Sequence, residues 1–173
     1  MQSFVLGGGC FWCLDSTLMQ FLGVVDVEVG YTGGHTANPG YEAVCSGTTG
    51  HAEVVRVDFD ETVIPAEVVL DMFFTLHDPT QLNRQGNDIG TQYRSCMFYA
   101  TEEQRVLFEA ARARAVEAWG SGVVTTIEPL GDYYVGETYH QDFFAKNPNQ
   151  GYCNMVVLPK MLKTRKAFQD YVR

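Results

Sequence analysis

The sequence predicts an α+β protein in which a layer of helices packs on one β-sheet. In some segments apolar residues alternate with a period of two, as in half-buried strands, and in others they recur at steps of three and four, as in amphipathic helices. The two kinds of segment interleave along 173 residues, about the length of one domain. Long aperiodic stretches separate them, which disfavours a regular doubly wound sheet and favours a two-layer sandwich.

Each element is assigned from its own pattern. The strands are apolar or alternating runs, and the helices carry apolar stripes. The stretch 32–50 is rich in glycine, lacks a period and is predicted to be irregular. In chain order, the predicted elements are strand 3–6, helix 10–22, strand 25–31, strand 51–59, helix 65–77, strand 94–99, helix 101–119, strand 123–130 and helix 137–146.

Local signals mark the ends of the helices. Gly23 stops the first helical run, and Pro65 occupies a first-turn position of the second. Thr101 and Gln104 have the spacing of a capping box, and Gly120 ends the helix that they begin. These signals support the same element order as the periodicity.

No linker or repeat divides the chain, so residues 1–173 are expected to form a single domain. Beyond residue 148 loop signals prevail until a basic, amphipathic end, and a coiled C-terminal tail is expected. No apolar run approaches the ~20 residues that span a bilayer. No secretory signal precedes the first strand, so the expected location is cytoplasmic.

The composition excludes several classes of partner. The chain carries 12 basic and 21 acidic residues, a net charge of −9. Nucleic acids and anionic membranes require a basic surface and are therefore disfavoured. Five cysteines at irregular spacing do not make a secreted disulfide framework, so free thiols in a reducing compartment are expected.

Cys10 follows three glycines at the junction between a predicted strand and a predicted helix. Unpaired backbone N–H groups and the positive end of the helix dipole are expected to lower the pKa of its thiol. The glycines would let a ligand approach the backbone closely. Cys10 is therefore predicted to be a nucleophile or redox centre, the alternative being a small apolar residue that fills the corner.

Three residues next to Cys10 extend this candidate site. Phe11 begins the apolar stripe of the helix, whereas Trp12 lies off that stripe and is predicted to line a groove or pocket beside the thiol. Cys13 completes a Cys-x-x-Cys motif on the same helix face as Cys10. The sequence has no second such motif and no paired histidines, which disfavours a structural zinc site.

Glu53 lies on the apolar face of strand 51–59, together with Val55 and Val57. A carboxylate buried without a cation is costly, so its pKa rises and the group can stay protonated near pH 7. Glu53 is thus predicted to be a neutral acid. The alternative is a residue at the start of the strand that reaches solvent beside Gly50.

Seven short motifs occur in order along the chain. They are Gly9-Cys10-Phe11-Trp12, Gly30-Tyr31-Thr32-Gly33-Gly34, Gly50-His51-Ala52-Glu53, His77-Asp78-Pro79-Thr80, the run 87–95, Tyr139-His140-Gln141 and Gly151-Tyr152-Cys153. Singly each motif is weak, but the ordered set closely resembles the A-type peptide methionine sulfoxide reductases over about residues 4–160.

The resemblance implies an elaborated ferredoxin-like sandwich and a role for each matching residue. Cys10 would attack the sulfur of methionine S-sulfoxide, and Glu53 would donate a proton to its oxygen. Phe11 and Trp12 would form an apolar pocket for the methyl group. The other implied site residues are Tyr41 and Tyr93, which would hydrogen-bond the sulfoxide oxygen, and Asp88, which would order the site.

The implied chemistry needs no cofactor and no metal. Attack would leave Cys10 as a sulfenic acid, a second thiol would condense with it to a disulfide, and thioredoxin would reduce that disulfide. The implied substrates are free methionine sulfoxide and oxidised peptides or proteins. The protein is expected to be a monomer.

The second thiol is either Cys13 or Cys153. Cys13 is closer in sequence, but a disulfide between residues three apart strains a helical turn. Cys153 lies in an aperiodic segment that can move and matches the family's resolving cysteine, so it is the preferred resolving thiol, with Cys13 as a relay. Cys45 is expected to be a partly buried free thiol and Cys96 a packing residue of a strand.

Three other functions are open at this point. A thiol–disulfide oxidoreductase would use Cys10 and Cys13 directly and would not need Glu53 or Trp12. A cysteine hydrolase would pair its thiol with a histidine and form an acyl-enzyme. A peptide-binding module would leave the thiol and the acid without a role.

Overall fold

The computed structural model describes all residues from 1 to 173. The strands are β1 (Gln2–Gly7), β2 (Val24–Thr32), β3 (Ala52–Phe59), β4 (Arg84–Gln85), β5 (Asp88–Ile89), β6 (Cys96–Tyr99), β7 (Thr126–Pro129) and β8 (Tyr133–Val135). The α-helices are α1 (Phe11–Leu18), α2 (Tyr41–Cys45), α3 (Ala66–Leu76), α4 (Glu102–Trp119), α5 (Phe143–Lys146) and α6 (Leu158–Ala167). Short 3-10 turns lie at Thr91–Tyr93, Thr138–His140 and Gln169–Tyr171, and a π-helical turn lies at Cys153–Val157.

Six strands form one sheet in the order β7-β6-β1-β3-β2-β8, and β4 pairs with β5 in a separate hairpin. All neighbours in the large sheet are antiparallel except β6 and β7, which are parallel. No helix is both long enough and apolar enough to cross a membrane. The mixed α/β architecture, with helices packed on a sheet, confirms the predicted combination of elements.

The helices α1, α3 and α4 bury one face of the sheet. Alternation along β1 sends Phe4 and Leu6 into this main core of 29 buried residues. Val5 points to the opposite face, where it joins a core of five buried residues that includes Val54 and Phe98. The two faces are therefore covered unequally, and the candidate site forms at the edge of the larger core.

The C-terminal tail is helical, which corrects the expected coil. The π-helical turn runs directly into α6, and α6 packs against α1 and α3. Val157, Met161 and Thr164 are buried at steps of four and three, so the helix has a genuine apolar stripe. Pro148, the asparagines on either side of it and Gly151 mask this stripe in the sequence because they are turn signals.

Smaller differences lie in the other segments expected to be irregular or helical. The glycine-rich stretch contains α2. The hairpin of β4 and β5 lies between α3 and β6 and was not predicted. The helix predicted over residues 137–146 is split into a 3-10 turn and α5, because Asp142 has the left-handed φ of 53°. The cap of α4 is present as predicted: Gln104 N donates to Thr101 Oγ1 over 3.2 Å.

Candidate active site

Cys10 occupies the N-cap position of α1, directly after the glycine loop. Gly9 has a φ of 83°, a conformation that favours glycine. A Cβ atom on Gly8 would lie 2.8 Å from His77 Cγ, and one on Gly9 would lie 2.8 Å from Gln85 Cγ. These glycines therefore admit side chains of the protein itself, which corrects the expectation that they keep space for a ligand.

Gln85 belongs to the hairpin that carries Asp88 to the site. Its side-chain amide makes two hydrogen bonds with the backbone of Asp78: Oε1 accepts from N over 2.8 Å, and Nε2 donates to O over 3.0 Å. Beyond the hairpin, Tyr93 O accepts from Gly9 N over 3.2 Å. These bonds fix Asp88 and Tyr93 beside the glycine loop.

The electrostatics of Cys10 differ from the expectation. Its side chain is 8% exposed, and burial raises the pKa of the thiol well above its ordinary value. A negative charge on Glu53 raises this pKa further, whereas a hydrogen bond from the Trp12 backbone lowers it. The expected lowering of the Cys10 pKa by the helix N-terminus is wrong for the free protein, because desolvation outweighs the helix end. Cys10 is a thiol at neutral pH.

Glu53 is buried in β3, with 1% of its surface exposed. Its Oε1 accepts from the backbone N of Phe11 over 3.2 Å, while Oε2 is buried without a partner. The one basic residue on this strand face, His51, bonds elsewhere: its Nδ1 accepts from Gly34 N over 3.0 Å. The carboxyl group of Glu53 therefore lies next to the backbone of Phe11, the residue that follows Cys10, and no cation stabilises a negative charge on it.

The environment favours the protonated form of Glu53. Burial raises the pKa of Glu53 to about 8, and the charges of Asp88 and Glu137 raise it as well, against the bond from Phe11. Below pH 8 most molecules therefore hold a proton on this carboxyl group. The burial predicted from strand alternation is confirmed, and its electrostatic consequence is an acid that can donate.

Asp88 links two parts of the site. Its Oδ2 accepts from the hydroxyl of Tyr152 over 2.5 Å, which joins the hairpin to the residue before Cys153. Its charge raises the pKa of Glu53 and of the Cys10 thiol. The position thus fits the ordering role that the resemblance implies, and it also helps to keep the acid protonated.

Tyr41 and Tyr93 lie close to the acid. Burial raises the pKa of both hydroxyls, and the charge of Glu53 raises them further. The Tyr41 ring stacks on Phe11 with centroids 6.5 Å apart and planes at 22°. Cys45 is partly buried and free, as expected, but it also hydrogen-bonds to both tyrosines. This contact was not predicted because it depends on the unforeseen helix α2.

Trp12 forms an aromatic wall off the core stripe of α1. Its indole stacks on Phe143 with centroids 3.8 Å apart and planes at 4°, and Tyr152 meets it edge-on at 5.7 Å. Its Nε1 donates to Nδ1 of His140 over 3.2 Å. Three contacts therefore hold the ring in one orientation beside Cys10.

Two residues of the site had no predicted role. Glu137 accepts from the Tyr31 hydroxyl over 3.0 Å and from Tyr41 N over 3.1 Å, so it holds the start of α2. His140 is 2% exposed, and its ring centroid lies 4.3 Å from that of Tyr41. The Tyr-His-Gln motif marked His140 in the sequence, whereas Glu137 lies just outside every motif.

The other thiols are buried behind Cys10. Cys13 is 2% exposed and Cys153 is fully buried, and both are free. Burial raises the pKa of Cys13 to about 11, and a charge on Cys153 adds to this effect while that of Lys160 opposes it. A charge on Cys13 in turn raises the pKa of Cys10. Charges on neighbouring thiols therefore influence one another in the reduced protein.

Cys96 is a packing residue, as predicted, fully buried in β6. Its Sγ atom lies where a Cβ atom on Gly7 would come within 2.7 Å. No cluster of three or more His, Cys, Asp or Glu side chains is arranged to hold a metal ion. The chemistry available at the site is therefore that of a buried thiol, a buried acid and aromatic walls.

Comparisons with known proteins point to one family. The model of the family described as peptide methionine sulfoxide reductase matches residues 2–172. A relative from Clavibacter michiganensis, called peptide methionine sulfoxide reductase MsrA, is 64% identical over 173 residues, which is 100% of this chain and 99% of the relative. A relative of the same name from Arthrobacter is 57% identical over 99% of both chains.

Solved structures show the same architecture. Reduced Mxr1 from Saccharomyces cerevisiae superposes with a TM-score of 0.83 at 35% identity and covers 88% of each chain. Methionine sulfoxide reductase A of Corynebacterium diphtheriae gives a TM-score of 0.78 at 36% identity, covering 89% of this chain and 78% of the other. Mxr1 in complex with Trx2 has the same fold, with a TM-score of 0.59 at 24% identity.

Proposed function

Because this chain belongs to the peptide methionine sulfoxide reductases, we propose that it reduces methionine S-sulfoxide at Cys10 with Glu53 as the proton donor. The observation that supports this assignment most directly is the bond from the Phe11 backbone to Glu53, which holds a buried acid beside the residue that follows the thiol. A thiol–disulfide oxidoreductase would not need such an acid. The family assignment likewise disfavours the hydrolase and the binding module.

The chemistry requires both groups. A sulfoxide sulfur is a poor electrophile until its oxygen is protonated, and Glu53 holds a proton near neutral pH for this purpose. Cys10 then attacks the sulfur, an S–S bond forms, and the protonated oxygen leaves as water with the thiol proton and the proton from Glu53. Water next attacks the Cys10 sulfur, the S–S bond breaks, methionine leaves with the electron pair, and the proton released returns to Glu53. The products are methionine and a Cys10 sulfenic acid.

The raised pKa of Cys10 fits this sequence of events. The free thiol stays neutral, so it is protected from adventitious oxidation. A protonated sulfoxide brings a positive charge next to the thiol, and that charge lowers the thiol pKa when it is needed. Tyr41 and Tyr93 would bond the sulfoxide oxygen, and Phe11 and Trp12 would enclose the methyl group.

The direct test of this function uses dithiothreitol as the reductant. The protein is incubated with each epimer of methionine sulfoxide, and methionine is measured by chromatography. We expect methionine from the S epimer, as membership of the family implies. Equal use of both epimers, or no methionine at all, would contradict the assignment.

Trp12→Ala is expected to reduce discrimination between methyl and ethyl sulfoxides. The fixed indole limits the space for the alkyl group, and one methylene in such a pocket changes selectivity by about 10- to 200-fold. The measurement is the ratio of kcat/KM for methionine sulfoxide and ethionine sulfoxide. Trp119→Ala, which removes the indole at the end of α4, is the matched control when both variants are assayed with dithiothreitol. An unchanged ratio in the Trp12 variant would show that the ring only packs.

We also propose that Cys153 resolves the sulfenic acid, with Cys13 as a relay. Condensation of Cys10–SOH with a thiol releases water and forms a disulfide. Cys153 begins the π-helical turn, a distortion that is common at functional sites and easier to rearrange than an α-helix. Cys13, whose charge influences Cys10 and whose pKa responds to a charge on Cys153, is the proposed exchange partner of both thiols.

Peptide mapping after one turnover without reductant tests this order of thiols. We expect a Cys10–Cys153 linked peptide in the parent protein. Cys153→Ser should retain the first turnover and lose recycling by thioredoxin, and Cys13→Ser shows whether the disulfide forms without the relay. If only a Cys10–Cys13 bond forms and Cys153→Ser recycles normally, Cys153 is not the resolving thiol.

The remaining parts of the proposal concern the reductant and the setting. A disulfide must be reduced by an external dithiol, and thioredoxin is the proposed donor, since the relative Mxr1 forms a complex with Trx2. Five free thiols fit a reducing cytoplasm. The strand order β6-β1-β3-β2, connected through α1 and α3, supports a ferredoxin-like core. We further propose that residues 1–173 form a single domain and that the protein acts as a monomer.

A further inference from the structure

Basic residues are concentrated at the C-terminal end of an otherwise acidic chain. Residues 160–173 hold five basic residues and one acidic residue, a net charge of +4. Residues 1–159 hold seven basic and 20 acidic residues, a net charge of −13. A positive segment on so acidic a protein is a candidate contact for a negatively charged partner.

None of these five basic side chains has an acidic partner, and two of them hold the tail in place. Arg165 and Arg173 bond to the end of α1 and hold the tail in place. Lys160, Lys163 and Lys166 take part in none of the ion pairs of the protein. Lys160 and Lys163, with the ring of Trp119, are called the lysine groove, and Lys166 follows one turn further along α6.

The lysine groove lies where α6 meets the ends of α3 and α4. The Nζ atom of Lys163 is 5.9 Å from the centre of the Trp119 ring. Lys160 and Lys163 line a cavity together with His77 and Gln85. His77 and Gln85 also pack against the glycine loop before Cys10. The lysine groove is therefore separated from the glycine loop by these two side chains.

Of the groove lysines, Lys160 is close enough to the buried thiols to influence Cys13. After burial, the charge of Lys160 has the largest influence on Cys13. Lys160 follows Cys153 by two helical turns, a rise of about 10 Å. On the substrate side the charged neighbours of the acid are Asp88 and Glu137, both negative. Cys13 thus has a positive neighbour in Lys160 beside the negative Asp88, whereas the charged neighbours of Glu53 are all negative.

Exposed apolar side chains accompany the lysines. Met155, in the π-helical turn, is 81% exposed, and Leu162 in α6 is 55% exposed. Protein–protein interfaces combine an apolar centre with a polar, solvent-accessible rim. Because Met161 and Thr164 anchor α6 in the core, the turn at Cys153–Val157 can rearrange while the lysines keep their positions.

We propose that the lysine groove is the docking surface for the reductant, a dithiol protein with acidic side chains around its reactive thiols. This inference rests on the proposed function, since only a disulfide enzyme needs such a partner. The rest of the surface repels an acidic protein, so the groove steers its encounter toward the side of the molecule where Cys13 and Cys153 lie.

The test compares two reductants at fixed sulfoxide concentration. Lys163→Glu combined with Lys166→Glu reverses two exposed charges and spares Lys160, which is too close to Cys13 for a clean experiment. With reduced thioredoxin, kcat/KM for thioredoxin is expected to fall by about ten-fold or more, and its decline with added salt should flatten. With dithiothreitol and an acidic peptide sulfoxide, the rate should stay at the parent level.

Two controls separate docking from other effects. Lys163→Arg with Lys166→Arg keeps the charge and should keep thioredoxin-driven turnover, whereas Arg105→Glu changes one charge in α4 and should leave it unaltered. An unchanged kcat/KM for thioredoxin in the double glutamate variant would overturn the docking surface. An equal loss with dithiothreitol would overturn it too, because the lysines would then serve the fold or the substrate. An inactive parent protein with dithiothreitol would instead refute the proposed function.

Discussion

Cys10→Ser is expected to abolish methionine formation even in a single turnover with dithiothreitol present. Serine keeps the size and position of the side chain, but its hydroxyl cannot form a sulfenic acid. The reduction of the sulfoxide therefore stops at its first step. Loss of a nucleophile lowers turnover by several orders of magnitude in enzymes of this kind, and we expect at least about a thousand-fold. The measurement is methionine released per mole of protein under anaerobic, single-turnover conditions.

Cys96→Ala is the matched control for this variant. It removes a thiol that is also buried but belongs to the smaller core with Val54 and Phe98 on the other face of the sheet. Circular dichroism and thermal unfolding show that both variants are folded. Methionine at the parent yield from Cys10→Ser would mean that another thiol performs the attack, and the assignment of the site would be wrong.

Glu53→Gln is expected to slow the formation of the sulfenic acid by about ten-fold to a thousand-fold. The amide preserves the shape of the side chain but has no carboxylic proton to give. Because the pKa of Glu53 is raised to about 8, the parent holds the donating form below that pH and loses it as the pH rises through 8. The rate of sulfenic-acid formation in the parent protein should therefore decrease as the pH rises through 8, because Glu53 loses its proton. The Glu53→Gln variant should not show this decrease.

A second measurement on the same variant concerns the thiol. The charge of Glu53 raises the pKa of Cys10, so its removal should shift alkylation of Cys10 by iodoacetamide to lower pH. Glu42→Gln, an exposed carboxyl change in α2, is the control and should alter neither profile. If the rate of sulfenic-acid formation in Glu53→Gln equals that of the parent from about pH 5.5 to 8, then Glu53 is not the donor.

The buried acid also affects stability. Its pKa is higher in the folded protein than the ordinary value of 4.5, so the folded state binds a proton that the unfolded state releases near neutral pH. The resulting penalty is absent below the ordinary pKa and grows as the pH rises toward 8. A group so placed lowers stability at the pH where the protein works, as expected of a residue kept for function.

Much of the fold follows from local information. Alternation in strands and stripes in helices depend on neighbours within a turn or two, so β1, β3, α3 and α4 agree with their predicted positions. The same reasoning identified the burial of Glu53, since one strand face must point into the core. The ordered motifs then identified the family without any knowledge of the packing.

The tertiary structure decided what lies against each residue. The Cys10 pKa is set by desolvation and by Glu53, which is 43 positions away, so a helix-end argument from the sequence has the wrong sign. The glycine loop is shaped by His77 and Gln85, and Cys45 meets two tyrosines only because α2 forms.

One physical reason explains why the sequence predicts the elements of the fold but not the protonation states at the site. Sequence periodicity reports which side of an element is apolar, because that depends on bonds and dihedral angles along the chain. The strength of a charge depends on the solvent and the charges around it, which come from segments distant in sequence. The sequence by itself therefore determined the family, the main elements and the reacting residue types. Only the folded arrangement decided the protonation states of Glu53 and Cys10 and which side chains surround them.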